Sequence, residues 1–160
     1  MSPLTDEMAT VWIRRVISAQ PDRTYAAWLD EGQLIRWLSP VDLEVSRAEA
    51  YARVGGRFRL WYADIHGDVG GIEARFLALE EDRRLVLRWG FCGPGRLAGP
   101  IYDTLLSIRF RPVGDGSTYL TLAHENLQSL RHHRPDQAEH LERDWIEMLG
   151  RLEDLVCTPY

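Results

Sequence analysis

The hydrophobic pattern of the chain changes its period along the sequence, and this order restricts the possible folds. Between residues 41 and 125, apolar and polar residues alternate, which is typical of β-strands with one buried face. From residue 134 to about residue 156, apolar residues recur every three or four positions, with charged residues between them. A helix of that length spans about 33 Å and can cover one face of a sheet. We therefore expect an α+β fold, in which a curved antiparallel sheet wraps a long C-terminal helix.

The alternating region divides into six segments at turn residues. The predicted strands cover residues 41–47, 51–64, 69–80, 83–91, 103–112 and 117–125. Gly55-Gly56 predicts a bend, and short polar or glycine-containing turns at 64–67, 81–82 and 114–116 predict hairpins. Residues 92–102 contain three glycines and two prolines, which predicts a loop and a possible lid.

The start of the chain adds one strand and two short helices. Residues 10–18 alternate well enough for a first strand, which gives a sheet of six or seven strands. Pro21 then favours a helix over residues 22–29, because proline suits the first turn of a helix. A second short helix is predicted over residues 33–38, before Pro40.

Composition excludes several classes of function. All 19 basic residues are arginine, so enzymes that need a lysine amine, such as Schiff-base aldolases and phosphate-loop hydrolases, are excluded. The net charge of −5 and the absence of a basic stripe argue against a nucleic-acid partner. Cys92 and Cys157 are far apart, so neither a disulfide nor a zinc site is expected. We expect one domain over residues 1–160, with a core from about 10 to 156, in the cytoplasm and without a membrane span.

Several local motifs together resemble a known superfamily. They are Arg15 to Pro21, Trp28 through Trp37, Gly55-Gly56-Arg57-Phe58, Arg84 to Trp89, Gly116 to Glu125, and Trp145 with Leu149 and Leu152. The chain resembles the START-related, Bet v-like (SRPBCC) superfamily, in its branch of activators of the ATPase of heat-shock protein ninety. The resemblance implies a helix-grip fold with a cavity between the sheet and the C-terminal helix. Two positions depart from the pattern: Leu38 replaces a frequent second tryptophan, and Asp144 replaces a glycine.

The candidate site residues follow from the expected cavity. His124 continues the alternation of Leu120 and Leu122, so it should face the helix, where an imidazole can orient a ligand or act as acid or base. The pattern favours a strand-end histidine bonded to backbone or water, and catalysis by His124 stays open as the alternative. The residues expected to contact a ligand are Trp37, Trp89, Tyr102, Leu120, Leu122, His124, Trp145 and Leu149.

Other polar residues have simpler explanations. Glu125 and His66 are expected at the surface. Arg88 and Glu73 on neighbouring strands can form a cross-strand pair, for which the outer face is favoured over the pocket. The histidines His132, His133 and His140 have no metal-ligand spacing, and neither a metal nor another cofactor is expected.

Three functions remain open at this stage. The first is a protein that binds a small hydrophobic or aromatic molecule, which the lack of a catalytic constellation favours. The second is an enzyme of the polyketide-cyclase or self-sacrificing resistance type that uses the same cavity. The third is a module that regulates a chaperone ATPase, which the family resemblance alone suggests. An exposed sheet edge at residues 41–47 makes a homodimer plausible.

Overall fold

A computed structural model describes residues 10–96 and 102–157. The described residues form seven strands: β1 (Val11–Ile17), β2 (Glu44–Ala50), β3 (Arg57–Asp64), β4 (Gly67–Glu80), β5 (Arg84–Cys92), β6 (Tyr102–Val113) and β7 (Ser117–Glu125). They also form the helices α1 (Pro21–Ala26), α2 (Glu31–Trp37), α3 (Gln128–His133) and α4 (Pro135–Cys157). A 3₁₀ turn at Pro94–Arg96 follows β5. The predicted α+β helix-grip class is confirmed.

All seven strands join one antiparallel sheet in the order β1-β7-β6-β5-β4-β3-β2. The first and last strands of the chain pair along their length, with Val11 opposite His124 and Ile17 opposite Thr118. The pairing register shifts once in each of the pairs β2–β3, β3–β4 and β4–β5. Such irregularities bend a strand and increase its twist, so this half of the sheet curves toward the helix.

The two helices after β1 begin at different sequence signals, a proline at the start of α1 and a capping aspartate before α2. Pro21 begins α1, which ends at Ala26; residues 27–29 continue as turns instead of the predicted helix. The α2 helix begins two residues earlier than predicted, because the Asp30 carboxylate accepts a hydrogen bond from the Gln33 N–H at 3.0 Å and caps the helix. The prediction missed α3, whose six residues have only Leu130 buried.

Helix α4 lies across the concave face of the sheet. Its buried side chains recur at helical spacing, and they are Ala138, Leu141, Trp145, Met148, Leu149, Leu152 and Val156. They pack against the inward-facing side chains of the strands and against Trp28, Leu34 and Trp37 from the short helices. One continuous apolar core therefore fills the space between the helix and the sheet.

The bend at Gly55-Gly56 has a steric cause. Gly55 has φ of +83°, a conformation that favours glycine. A Cβ on Gly56 would lie only 2.0 Å from the carbonyl oxygen of Tyr51, so a larger residue cannot pass this point without moving the backbone. The chain therefore needs glycine at these two positions to make the predicted bend before β3.

The predicted pairing of Arg88 with Glu73 is wrong, although both residues are on the outer face. The register places Arg88 opposite Arg75, and Glu73 opposite Gly90. Glu73 instead pairs with Arg59 at 2.7 Å and with Arg96 at 2.5 Å, and Arg88 pairs with Asp103 at 2.7 Å. Glu73 and Arg88 are therefore two residues out of register, and this register, which the sequence does not specify, decides their partners.

The described part of the predicted loop is attached to the sheet. The Asp68 carboxylate accepts hydrogen bonds from the N–H groups of Gly70 and Gly95, and these donors lower its pKa. The Arg96 guanidinium donates to the carbonyls of Leu60 and Ile72 and packs over the ring of Trp61. Residues 97–101 lie outside the described residues, so a lid role for this segment stays a prediction.

Within the described ranges, no helix combines the length and hydrophobicity needed to cross a bilayer. In that same part of the chain, no three histidine, cysteine or acidic residues come together as possible metal ligands.

Candidate functional site: a cleft between the sheet and helix α4

A cleft of about 270 Å³ opens between strands β3 to β5 and the N-terminal part of α4. Most of its lining is apolar, with a small number of polar groups. The lining residues are Pro40, Leu43, Tyr62, Val69, Gly71, Ile72, Trp89, Phe91, Cys92, Gly93, Pro94, Tyr102, Arg134, Gln137, Leu141, Asp144, Trp145 and Met148. The helix contributes positions 137, 141, 144, 145 and 148, a spacing that places them on one side of α4.

Three of the eight residues expected to contact a ligand line this cleft. They are Trp89 on β5, Tyr102 at the start of β6 and Trp145 on α4. These three side chains come from three elements and line one cleft, and their contact with a ligand stays a prediction. Each contributes an aromatic face, and such faces provide large contact areas for small apolar molecules.

The other five expected residues lie away from the cleft wall. Leu120, Leu122 and Leu149 are fully buried in the core. The indole N–H of Trp37 donates to the carbonyl of Ala27 at 2.9 Å, so this ring is fixed among the short helices. His124 is fully buried behind Trp89 and Trp145 and is not among the lining residues.

His124 forms the middle of a chain of hydrogen bonds with a defined direction. An indole N–H only donates, so the contact of 3.0 Å from Trp145 Nε1 makes His124 Nδ1 an acceptor. In the neutral ring Nε2 then carries the proton and donates to Thr104 Oγ1 at 2.6 Å. The Thr104 hydroxyl in turn donates to the carbonyl oxygen of Trp89 at 2.8 Å. Burial lowers the pKa of His124 to about 3, in agreement with a neutral imidazole.

The hydrogen bonds of His124 connect two residues that line the cleft. Both ring nitrogens of His124 are engaged within the protein, and the chain of bonds begins at Trp145 and ends at Trp89, which are two walls of the cleft. His124 therefore holds the ring of Trp145 and links it, through Thr104, to the backbone of Trp89. The position of His124 was predictable from strand alternation, but its partners were not, because Trp145 and Thr104 come from distant parts of the sequence.

Aromatic rings connect the cleft with the core. Trp89 and Trp145 have ring centroids 5.9 Å apart. Trp145 also stacks on Trp28 at 6.0 Å, and Trp28 meets Trp37 edge-on at 4.7 Å. On the other side Trp89 contacts Phe58 at 5.4 Å. These contacts hold the aromatic faces of the cleft in fixed positions.

Two polar residues of the cleft, Tyr62 and Asp144, were not among the predicted site residues. Tyr62 is buried on β3, and burial, followed by the negative charge of Asp144, raises the pKa of its phenol. Burial also raises the pKa of the Asp144 carboxyl, against the opposing effects of Arg143 and His140. The sequence did carry a signal for both. Tyr62 continues the inward alternation of Phe58 and Leu60, and Asp144 is a charged residue on the apolar stripe of α4.

The remaining polar groups of the cleft differ in accessibility. Cys92 is buried, and burial raises the pKa of its thiol, which disfavours a nucleophilic thiolate. Arg134 and Gln137, at the start of α4, are exposed. The cleft thus has an apolar, aromatic interior, with the polar Gln137 and Asp144 on the helix side and the Tyr62 phenol on the sheet side.

Residues 18–156 match the family described as activator of Hsp90 ATPase homolog 1-like protein. The chain belongs to this family. The match covers most of the chain and agrees with the family resemblance of its motifs. No curated protein sequence matches this chain.

Several solved structures share the fold. Protein CV1439 from Chromobacterium violaceum is 27% identical, with a TM-score of 0.77 and coverage of 94% of this chain and 99% of that one. A protein from Arthrobacter aurescens is 20% identical, with a TM-score of 0.79 and coverage of 96% and 88%. DynU16, from the dynemicin biosynthetic locus, is 19% identical with a TM-score of 0.67; the match covers 94% of this chain but 48% of DynU16.

Proposed function

We propose that this protein binds a small apolar or aromatic molecule in the cleft between the sheet and α4. The observation that supports this most is the aromatic lining of the cleft by Tyr62, Trp89, Phe91, Tyr102 and Trp145. Ligand sites are typically concave and mostly apolar, with a few polar groups that set orientation. The hydrogen bonds through His124 hold the Trp145 ring, and the Trp89 ring packs on it at 5.9 Å, which supports a site that is formed before a ligand arrives.

The volume of the cleft limits the size of the ligand. Ligand pockets commonly measure roughly 300–1,000 Å³, and a dry cavity of about 150 Å³ accepts benzene. At about 270 Å³, this cleft suits a molecule with one or two rings. A larger polycyclic molecule would extend out of the cleft. Small metabolites are therefore better candidates than polyketides with several fused rings.

Catalysis in the same cleft is a second candidate, favoured by the presence of Asp144 and Tyr62 together. A carboxylate with a raised pKa can accept a proton, while a protonated phenol can donate a hydrogen bond to a carbonyl. In such a reaction His124 would act as a positioning residue through Trp145. The relation to DynU16, whose gene locus serves the biosynthesis of dynemicin, is compatible with this candidate but shows the fold alone.

Blocking the cleft tests the binding proposal directly. Val69→Phe and Leu43→Phe each add a ring to the wall, and Val54→Phe adds the same ring at an exposed position as the matched control. Isothermal titration with indole and 2-naphthol should show binding to the wild type and to Val54→Phe, with affinity reduced at least tenfold in the other two variants. Thermal melting checks that all variants are folded.

Absence of binding to the folded wild type, or equal affinity in all variants, would contradict the proposal. Regulation of a chaperone ATPase, to which the family owes its description, would then be the candidate to test by an ATPase assay.

A further inference from the structure

Among the described residues that line the cleft, Asp144 is the only acidic one. It lies on the apolar stripe of α4 between Leu141 and Met148, and its carboxylate accepts a hydrogen bond from the Val41 N–H. Among the described residues, no arginine or histidine nitrogen lies within the ion-pair distance of 4.0 Å of this carboxylate. A negative charge is therefore half-buried next to an apolar cleft without a direct counter-charge.

The nearby arginines form other contacts. Arg96 pairs with Glu73 and donates to backbone carbonyls on the outer side of the sheet. Arg151 donates to the carbonyls of Trp37 and Ser39. Arg143 and His140 act on Asp144 only through space, and Glu147 opposes them. Arg134 is exposed. The described side chains thus leave the carboxylate open to a positive charge from a ligand.

The aromatic lining favours the same kind of ligand. The faces of aromatic rings attract cations, and a cation on aromatic faces beside a carboxylate gains from both interactions. Tyr62 contributes a neutral phenol, whose oxygen can accept a hydrogen bond from an ammonium group. An anionic ligand would instead meet the charge of Asp144 at close range.

We propose that the cleft binds a small organic ammonium compound, with Asp144 as its counter-charge and the aromatic rings around its apolar body. This inference rests on the proposed function of the cleft and adds the chemical class of the ligand. The contact with the Val41 N–H alone would give Asp144 a structural role, in which it links α4 to the loop before β2. The proposal adds a role in ligand binding.

Three probes of matched size separate the ligand classes. They are 2-phenylethylammonium, the neutral 2-phenylethanol and the anionic phenylacetate, titrated into the wild-type protein at pH 7. We expect the ammonium compound to bind at least tenfold more tightly than the alcohol, and phenylacetate to bind most weakly. Raising the salt concentration should reduce the difference between the ammonium compound and the alcohol, because the attraction is partly screened.

Three variants locate the effect. Asp144→Asn keeps the size of the side chain and removes its charge, and Glu142→Gln removes a charge from an exposed position on the same helix. Asp144→Asn should lower the affinity for 2-phenylethylammonium at least tenfold and change that for 2-phenylethanol less than twofold. Glu142→Gln should leave both unchanged. Tyr62→Phe should weaken ammonium binding by a smaller factor.

The outcomes distinguish this inference from the proposed function. Equal binding of the alcohol and the ammonium compound to the wild type overturns the ligand class but leaves the binding cleft intact. Equal loss of both probes in folded Asp144→Asn also overturns it, since the residue would then be structural. If none of the three probes nor indole binds to the wild type, both proposals fail. The comparison within the wild type remains decisive if Asp144→Asn does not fold.

Discussion

The two halves of helix α4 differ in how closely they pack against the sheet. In the packed half, residues 149–157, Leu149, Leu152 and Val156 are at most 1% exposed. In the cleft half, residues 135–148, Leu141, Asp144 and Met148 border open space instead of close-packed side chains. The sheet therefore packs closely against α4 along only part of the helix.

Polar contacts reinforce the difference. In the packed half, Glu153 accepts hydrogen bonds from Arg15 on β1, and Arg151 donates to the carbonyls at the end of α2. In the cleft half, Asp144 accepts from the Val41 N–H but has no ion pair within the described part of the chain. We infer that stability is concentrated in the packed half, which leaves the cleft half free to accommodate a ligand.

The largest expected effect comes from truncating matched leucines in the two halves. Leu152→Ala should lower the free energy of unfolding by about 2–5 kcal/mol, because it leaves a cavity in a fully packed region. Leu141→Ala should cost less than about 2 kcal/mol, because its side chain already borders the cleft. Urea denaturation of both variants measures the difference. Equal losses would mean that the two halves are packed alike.

A second prediction concerns the boundary between the halves, where His124 joins Trp145 to Trp89. The pKa of His124 is about 3 in the folded protein, against 6.5 for an unperturbed imidazole. Between these values the unfolded chain binds a proton that the native state does not bind. Stability should therefore fall as the pH is lowered below about 6.5, by about 1.4 kcal/mol per pH unit from this residue.

The variant His124→Gln isolates this contribution from other titrating groups. It should be less stable than the wild type at pH 8, because the hydrogen bonds to Trp145 and Thr104 are disturbed. The stability difference should shrink as the pH falls toward 4, since glutamine does not titrate. Denaturation curves at several pH values that keep a constant difference would contradict a buried, neutral His124.

The smallest expected effect is at the ion pair of the packed half. Glu153→Gln removes the charge that pairs with Arg15 at 2.8 Å, but both side chains are partly exposed. We expect a loss of less than about 1 kcal/mol, measured by urea denaturation, with a reduced effect at high salt. A loss as large as that of Leu152→Ala would show that polar attachment, rather than apolar packing, holds the packed half.

The fold was more predictable from the sequence than the cleft was. Periodicity located β1 and β7 and the long helix to within a few residues, because each has a strong local pattern. Strand alternation also indicated the inward side of β7. The partners of His124, Glu73 and Arg88 depend on register and on contacts between distant segments, which local patterns do not encode. Asp144 was recognised only as a departure from a family pattern, since its role depends on the space in front of it.

The central claim is that the open part of the helix–sheet interface is a ligand site. The most direct test is native mass spectrometry of gently purified wild-type protein beside Val69→Phe, with denatured samples as the reference. We predict that the wild type carries a small molecule with one or two rings, and that Val69→Phe carries much less of it. A wild type with only the mass of the polypeptide, even after incubation with indole and 2-phenylethylammonium, would contradict the claim.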